Sequence, residues 1–270
     1  MNRNISFALN QIIAPNSSLK EFVFLSKKLG IEAIEIRNDV ATNLINENKP
    51  YQLRDFCEKN FLKILTINAL QKFNLWNNDR LNELRELCKF ASSAGIQAIV
   101  LVPLNDGAVN DIIEQRNLLK HSLKEIVQIL NDFNVLGYVE PLGFQSSSLR
   151  SKSMVIEEIE KLQTSRLKIV HDTFHHFVAE EKEIFPSMTG IVHISGVSNQ
   201  FKNIELNDNH RSVIEATDII NNINQIRNFI ESDYEGFFSF EPFAKDLSGN
   251  KNLLDIIRKN FKYIEDNLKK

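Results

Sequence analysis

Two glutamates of this chain share a local setting. Glu140 closes the run Gly137-Tyr138-Val139-Glu140 before Pro141, and Glu241 closes Phe238-Ser239-Phe240-Glu241 before Pro242. Each apolar run reads as a strand. The proline has no N–H to give a sheet ladder, so the strand ends directly after the carboxylate. Two further runs end in His171-Asp172 and in His193. Glu140, Asp172, His193 and Glu241 together offer three oxygen donors and one nitrogen, a set that suits one divalent ion such as Mn, Zn, Co or Mg. Carboxylates brought close together need a cation or a shared proton between them. Histidine usage points to the same stretch. Five of six, His171, His175, His176, His193 and His210, fall within residues 171–210. Taken singly, each residue also has a structural reading, as a salt-bridge partner or as a turn former after a strand.

Positioning such a set requires a particular scaffold. Short, nearly continuous apolar runs occur at residues 5–9, 33–36, 64–67, 99–104, 135–139, 167–170, 191–194 and 237–240. Runs without alternation suit strands covered on both faces, as in a parallel sheet. Between them, residues 19–29, 81–94, 118–133 and 219–230 carry apolar positions every three or four residues, the period of an amphipathic helix. A final helix is expected over 252–268. Ser17 and Ser18 with Glu21 mark one helix start, and Gly30 and Gly95 mark two helix ends. Thr217-Asp218 introduces the helix expected from Ile219. The segment after Asp172 is the least regular, because Pro186 interrupts it. Eight strand–helix units filling residues 1–270 predict an α/β fold, a single (β/α)8 TIM barrel in one domain. In such a barrel the site lies at the C-terminal strand ends. These are Asn10, Arg37-Asn38, Asn68, Asn105, Glu140, His171-Asp172, His193 and Glu241.

Composition excludes several other functions. The 270 residues are 43% hydrophobic and 25% charged, with 32 Lys+Arg against 35 Asp+Glu and a net charge of −3. That balance lacks the basic excess of a phosphate-contacting nucleic-acid binder. No apolar run approaches a membrane span. The N-terminal stretch is too short for a leader's apolar core, which points to the cytoplasm. Cys57 and Cys88 sit among apolar neighbours in helical segments and read as buried free thiols. Neither a G-x-G-x-x-G after the first strand nor a P-loop is present, so nucleotide chemistry lacks its usual support.

The residues around these positions resemble the xylose isomerase-like sugar isomerase/epimerase barrels. The carrying segments are His171-Asp172-Thr-Phe-His175-His176, Val192-His193-Ile-Ser-Gly-Val197, Asn209-His210-Arg211 and Phe240-Glu241-Pro-Phe243. Ala8-Leu-Asn10, Ile34-Glu-Ile-Arg37-Asn38-Asp39, Thr66-Ile-Asn68-Ala-Leu-Gln71, Val139-Glu-Pro-Leu-Gly-Phe144 and Ser147-Ser-Leu-Arg150 look like one branch, the inosose (2-keto-myo-inositol) isomerases. The resemblance implies that Glu140, Asp172, His193 and Glu241 bind one divalent metal ion. It implies substrate contacts from His175 and Arg211, with Asn10, Arg37 and Asn68 as further contacts or as structural residues. After Arg211 the chain departs from many relatives, reading Ser-Val-Ile-Glu-Ala-Thr-Asp218 where they carry a Gly-rich stretch.

The activity implied is interconversion of 2-keto-myo-inositol (scyllo-inosose) with 1-keto-D-chiro-inositol. It would run through a cis-enediolate, with Glu140 and Glu241 as acid and base and the ion stabilising negative charge. The polar segment 196–217 is expected to act as a lid. Alternatives on the same barrel are a ketose 3-epimerase and a hydroxypyruvate isomerase. An endonuclease-IV-type repair enzyme needs extra metal ligands, and the only histidine before 171 is His121, in a helical pattern. A non-catalytic sugar-binding barrel is the remaining class. Trp76, in Phe73-Asn-Leu-Trp76, suits either a sugar-ring platform or loop packing. The expected partner is a small sugar or inosose, with no nucleic acid and no membrane. A homo-oligomer is left open.

Overall fold

The structure, a computed structural model, describes residues 5–270. The N-terminal stretch judged too short for a leader begins outside the described residues. Eight strands are all parallel to their neighbours: β1 (Phe7–Asn10), β2 (Ala33–Arg37), β3 (Lys63–Gln71), β4 (Ala98–Val102), β5 (Leu136–Val139), β6 (Leu167–Asp172), β7 (Thr189–Ile194) and β8 (Phe238–Phe240). They follow sequence order around a closed barrel. Closure is made by β1 on β8, with Phe7 opposite Phe238 and Leu9 opposite Phe240. Every strand expected from the apolar runs is present, within a few residues at each end.

Nine α-helices occur among the described residues: α1 (Leu19–Lys28), α2 (Leu44–Glu47), α3 (Pro50–Lys59), α4 (Asn78–Ala94), α5 (Ile112–Phe133), α6 (Lys152–Leu162), α7 (Thr173–Val178), α8 (Asn222–Glu231) and α9 (Leu253–Leu268). The Ser18/Glu21 pair forms a reciprocal capping box at α1. Gly95 closes α4 at φ +68°. α4 and α5 begin earlier than their apolar period suggests, because Asn77 and Asp111 cap first turns that face solvent. α8 differs the other way and starts at Asn222 instead of Ile219. Asp218 is drawn off to the Val197 N–H, and its second oxygen accepts from the Asn222 N–H. After Asp172 only the six-residue α7 forms, followed by a 3-10 turn at Pro186–Met188.

Strand side chains alternate between two faces. The outward set, including Leu9, Ile34, Ile36, Ile67, Ile99, Val139 and Ile194, joins the helices in one large core. The inward set is layered. Ala8, Ala33, Ala98, Val100, Tyr138, Val170 and Ile191 plug the lower lumen. Two residues further along the same strands come Asn10, Glu35, Glu140, Asp172 and His193, all buried. The lumen therefore changes from apolar to polar within one pleat, and the polar layer forms the floor of the site. Cys57 and Cys88 are free and buried. No helix among the described residues is long and apolar enough to cross a membrane.

Candidate metal centre and substrate pocket

Four neighbouring strands deliver the four ligand candidates. β5 and β8 stop one residue short of Glu140 and Glu241. Each glutamate makes the last rung of its ladder, Glu140 N–H to Leu101 O and Glu241 N–H to Ile194 O, both at 3.0 Å. Proline follows and pairing ceases. On β6 and β7 the register sets Asp172 directly beside His193. Asp172 uses Oδ1 to cap α7, accepting from the Phe174 and His175 N–H groups at 2.7 and 3.0 Å. Its Oδ2 is left to face the lumen. His193 Nδ1 lies 2.9 Å from Glu140 Oε1, 3.2 Å from Glu241 Oε2 and 4.0 Å from Asp172 Oδ2.

These residues fit a metal ion. Each offers one donor atom, and the four atoms lie within 4.8 Å of one another. Donors held at about 2.1 Å from a common divalent ion stand about 3–4 Å apart, and His193 Nδ1 lies 2.9 to 4.0 Å from the three carboxylates. All four side chains are buried, so three carboxylates are crowded together, with His193, Arg37 and Arg211 offsetting their charge. Among the described residues this is the one cluster of its kind. His121 is exposed on α5 and adds no ligand.

Electrostatics distinguish the two glutamates. Burial pushes both carboxyls up. At Glu140 burial prevails over the nearby His193 and the pKa is raised. At Glu241 burial is overcome by His193, Arg211 and Arg37, which hold its carboxyl far below the usual range. The contacts show why. Arg37 Nη1 donates to Glu241 Oε1 and Arg211 Nη2 to Oε2, both at 2.8 Å. Glu140 bonds only His193, through Oε1, so its other oxygen has no hydrogen-bond partner among the described residues. His193 itself is pushed down by burial, but Glu241, Glu35 and Glu140 surround it and raise its pKa well above the ordinary imidazole value.

Above the cluster opens a cavity of about 400 Å³, lined by Arg37, Glu140, Phe144, His175, Arg211, Glu241 and Phe243 among others. His175 accepts the Gly143 N–H at Nδ1, at 3.2 Å. The ring proton is thereby confined to Nε2, leaving a neutral donor for a substrate oxygen. Gly143 has to be glycine, because a Cβ there would collide with the His175 carbonyl and the α7 backbone. Arg211 is held at every nitrogen. Nε donates to Ser195 Oγ (3.0 Å), Nη1 to Asp208 (3.2 Å), and Nη2 to Asp172 Oδ2 (2.6 Å) as well as to Glu241. Its plane stacks on Phe243 at 4.5 Å. Arg37 is clamped by Asp39 through bonds of 2.7 and 2.8 Å.

The remaining sequence candidates fall elsewhere. Asn10 and Asn68 do not line the cavity but lie beneath it. Asn10 donates to Glu35 and Glu241 and accepts from Arg37, while Asn68 donates to Glu35 and Thr66. Their amides are taken up in holding carboxylates, which favours the structural reading of the two residues over the substrate-contact one. Residues 196–217 do not form a free flap. Gly196 pairs with Ser212, and Ser198 with Asp218, in antiparallel bridges. Gly196 lies so close to Val213 that a Cβ would strike its carbonyl. This strap carries Asp208 and Arg211 into the cavity wall. Trp76 packs against the helix–sheet core and is absent from the cavity lining.

Glu35 is the residue that the motif reading passed over. It is fully buried in the middle of β2 and accepts Nε2 of His193 at 3.1 Å. Its signal was present in the sequence. In Ala33-Ile-Glu35-Ile-Arg37, a charge in the middle of an apolar strand shares its face with Arg37, two residues on.

Residues 23–267 match the family model described as xylose isomerase-like TIM barrel. A xylose isomerase domain containing protein from Salmonella typhimurium LT2 is 30% identical, with TM-score 0.89 over 100% of both chains. The IolI protein, solved with a zinc atom bound, is 19% identical, with TM-score 0.83 over 98% of each chain. L-Ribulose 3-epimerase is 13% identical, with TM-score 0.76 over 98% of this chain and 95% of its own. At those two identities the likeness is one of fold alone. No curated protein matches the sequence significantly. With nearly its whole length matched and the barrel closed as that fold requires, the chain belongs to the xylose isomerase-like TIM barrel family.

Proposed function

We propose that this protein, acting as one barrel domain over residues 1–270, is a metal-dependent isomerase of a polyhydroxy ketone. The favoured reaction is 2-keto-myo-inositol to 1-keto-D-chiro-inositol. The observation that carries this reading is the pair Glu140 and Glu241, which belong to one buried ligand cluster and both line the cavity above it. Moving a carbonyl to the next carbon requires a proton to leave one carbon and another to return nearby, so two carboxylates facing the same substrate are what the chemistry needs. The zinc in the IolI structure and the presence of epimerases on this fold support the same class of reaction.

The roles follow from the contacts. A divalent ion held by Glu140, Asp172, His193 and Glu241 would supply positive charge for the enediolate oxygens. Glu140, with one oxygen unengaged, takes the proton from the carbon beside the ketone. The proton that reaches the former carbonyl carbon comes from whichever carboxyl of the pair then carries one, and Glu241, gripped by two guanidinium groups, is the more rigid of the two. His175 donates its Nε2–H to a hydroxyl, and Arg211 presents a fixed cationic edge. Phe144 and Phe243 wall the cavity and keep water from the intermediate. Nothing in this scheme calls on nucleic acid or membrane, and a cytoplasmic setting, alone or as a homo-oligomer, is compatible with it.

The test is incubation of the zinc- or manganese-loaded protein with scyllo-inosose in deuterated water. Appearance of 1-keto-D-chiro-inositol with deuterium at the exchanged carbon is expected. Absence of both product and exchange rejects this substrate. The second reading, a ketose 3-epimerase, is favoured by the fold shared with L-ribulose 3-epimerase and with D-psicose 3-epimerase bound to D-tagatose. Parallel assays on L-ribulose, D-psicose and D-tagatose distinguish it, and hydroxypyruvate tests the remaining isomerase.

A further inference from the structure

The floor of the site contains a carboxylate that neither the ligand cluster nor the proton-transfer scheme uses. Glu35 is buried at the centre of the barrel and surrounded by donors from four other strands. Oε1 accepts from Asn10 Nδ2 of β1 (3.3 Å) and from the hydroxyl of Ser239 on β8. Oε2 accepts from Thr66 Oγ1 (2.5 Å) and Asn68 Nδ2 (3.0 Å) of β3 and from His193 Nε2 (3.1 Å) of β7. Strand register is part of the construction, with Glu35 opposite Asn10 on one side and Thr66 on the other, and Ser239 opposite His193. Five donors crowd the two oxygens, against about four lone-pair sites on a carboxylate, so no acceptor site is left over.

This arrangement bears on the imidazole. His193 is wedged between two acidic sites, with Glu35 below at Nε2 and the Glu140–Glu241–Asp172 group above at Nδ1. An ionised carboxylate can only accept, so the nitrogen facing Glu35 has to carry a proton. Nδ1 faces the carboxylates of the cluster, and a cation held by them would take the place of its proton and meet the Nδ1 lone pair. A histidine ligand is commonly fixed in this way by a carboxylate on its far nitrogen, and loss of that partner weakens metal affinity about 10–100-fold. Glu35 is held by four strands and cannot follow the ring if it turns, so ring angle and tautomer are set together.

We propose that Glu35 is a positioning residue that fixes the orientation and tautomer of His193, making Nδ1 the metal-binding nitrogen. The inference rests on the metal-binding reading of the cluster and adds to it a residue that never touches the ion or the substrate. It also assigns a purpose to Asn10, Thr66, Asn68 and Ser239, which keep the Glu35 carboxylate from rotating.

The test compares wild type with Glu35→Gln. The amide has the same shape, the Ser239 and Thr66 hydroxyls can turn, and the Asn10 and Asn68 amides can flip, so the barrel has a route to accommodate it. Zinc affinity is measured by competition with a chelator, and the melting temperature of the metal-free protein reports the fold. Nitrogen NMR of ¹⁵N-histidine protein, assigned with a His193 variant, reports which ring nitrogen binds zinc. The expected result is zinc on Nδ1 and a slowly exchanging proton on Nε2 in wild type. Zinc binding by E35Q should be at least about tenfold weaker at a near-unchanged metal-free melting temperature. Zinc on Nε2 in wild type, or an E35Q affinity within a factor of two of wild type, overturns the proposal. If E35Q does not fold, the wild-type nitrogen assignment decides alone. Failure of wild type to bind a divalent ion at all rejects the metal reading and this inference with it. Normal wild-type binding with an indifferent E35Q removes only the inference.

Discussion

The two halves of the barrel mouth differ in kind. β5 to β8 end in Glu140, Asp172, His193 and Glu241, the groups that converge within 4.8 Å. β1 to β3 carry Asn10, Glu35, Arg37, Thr66 and Asn68, and every side-chain nitrogen of these donates to a carboxylate, while Glu35 meets the His193 imidazole. One half supplies ligands, and the other holds them in place. Carboxylates packed in a low-dielectric lumen repel one another, so ligand density on one side requires donors and guanidinium groups on the other. The difference also appears between the two catalytic candidates. Glu241 is tied to the donor half through Arg37 and Asn10, while Glu140 is not.

Breaking the ligand half should remove turnover with little change in the fold. Glu140→Gln retains a carbonyl oxygen for the ion but no base, so kcat should fall by about 10²–10⁴-fold with metal still bound. Steady-state kinetics beside a zinc titration checks this, and a variant with near-normal kcat would remove Glu140 from the chemistry. The donor half should respond in the opposite sense. Arg37→Met leaves Asp39 and Glu241 without their shared cation, and loss of one partner of a buried pair costs about 3–5 kcal/mol. Urea unfolding should show it even in metal-free protein. A stable R37M would mean that the donor half is not what holds the ligands.

A smaller intervention separates pocket from ion. In Gly143→Ala the new methyl meets the α7 backbone and displaces His175. A shift of about 1 Å at a positioning residue costs about 10²-fold in activity. Zinc affinity should change much less, because Glu140 is fixed by its own ladder bond. Equal losses of both would show that α7 and the ligand cluster move as one body.

The smallest effect concerns a histidine of the ligand half that lies outside the site. His176 is half-buried beside Lys152 and Glu181, with its Nδ1 2.7 Å from Lys152 Nζ. Burial, with Lys152 adding to it, pushes its pKa down to about 3. The unfolded chain binds this proton near pH 6.5 and the native state refuses it, so stability is lost as pH falls below that value. The slope should be about 1 kcal/mol per pH unit. Unfolding free energy measured from pH 7 to pH 5 should decline, and His176→Leu should flatten the decline.

Much of this was legible along the chain. Prolines after Glu140 and Glu241, the His171–His210 cluster and the eight apolar runs are local signals, and the strands and the four ligand candidates were read from them. The positions of Asn10 and Asn68 were legible as strand ends, but their direction was not. An amide at a strand end looks the same whether it faces a substrate or a buried carboxylate. Glu35 was passed over because an acid inside an apolar strand has meaning only once its partners are known, and those lie on β1, β3, β7 and β8. The α8 start was misplaced for a similar reason, since Asp218 is recruited by Val197 across the strap.

The sequence by itself determined the barrel and the ligand types. Apolar periodicity, caps and prolines act over a few residues, and eight repetitions of strand and helix favour a closed parallel barrel over an open doubly wound sheet. The tertiary structure alone decided what the oxygens of each acid meet, which histidine nitrogen faces the cluster, and that 196–217 is tied by two antiparallel bridges. Those outcomes depend on hydrogen bonds between residues as far apart as Glu35 and Ser239, and only strand register and barrel closure bring such residues within reach.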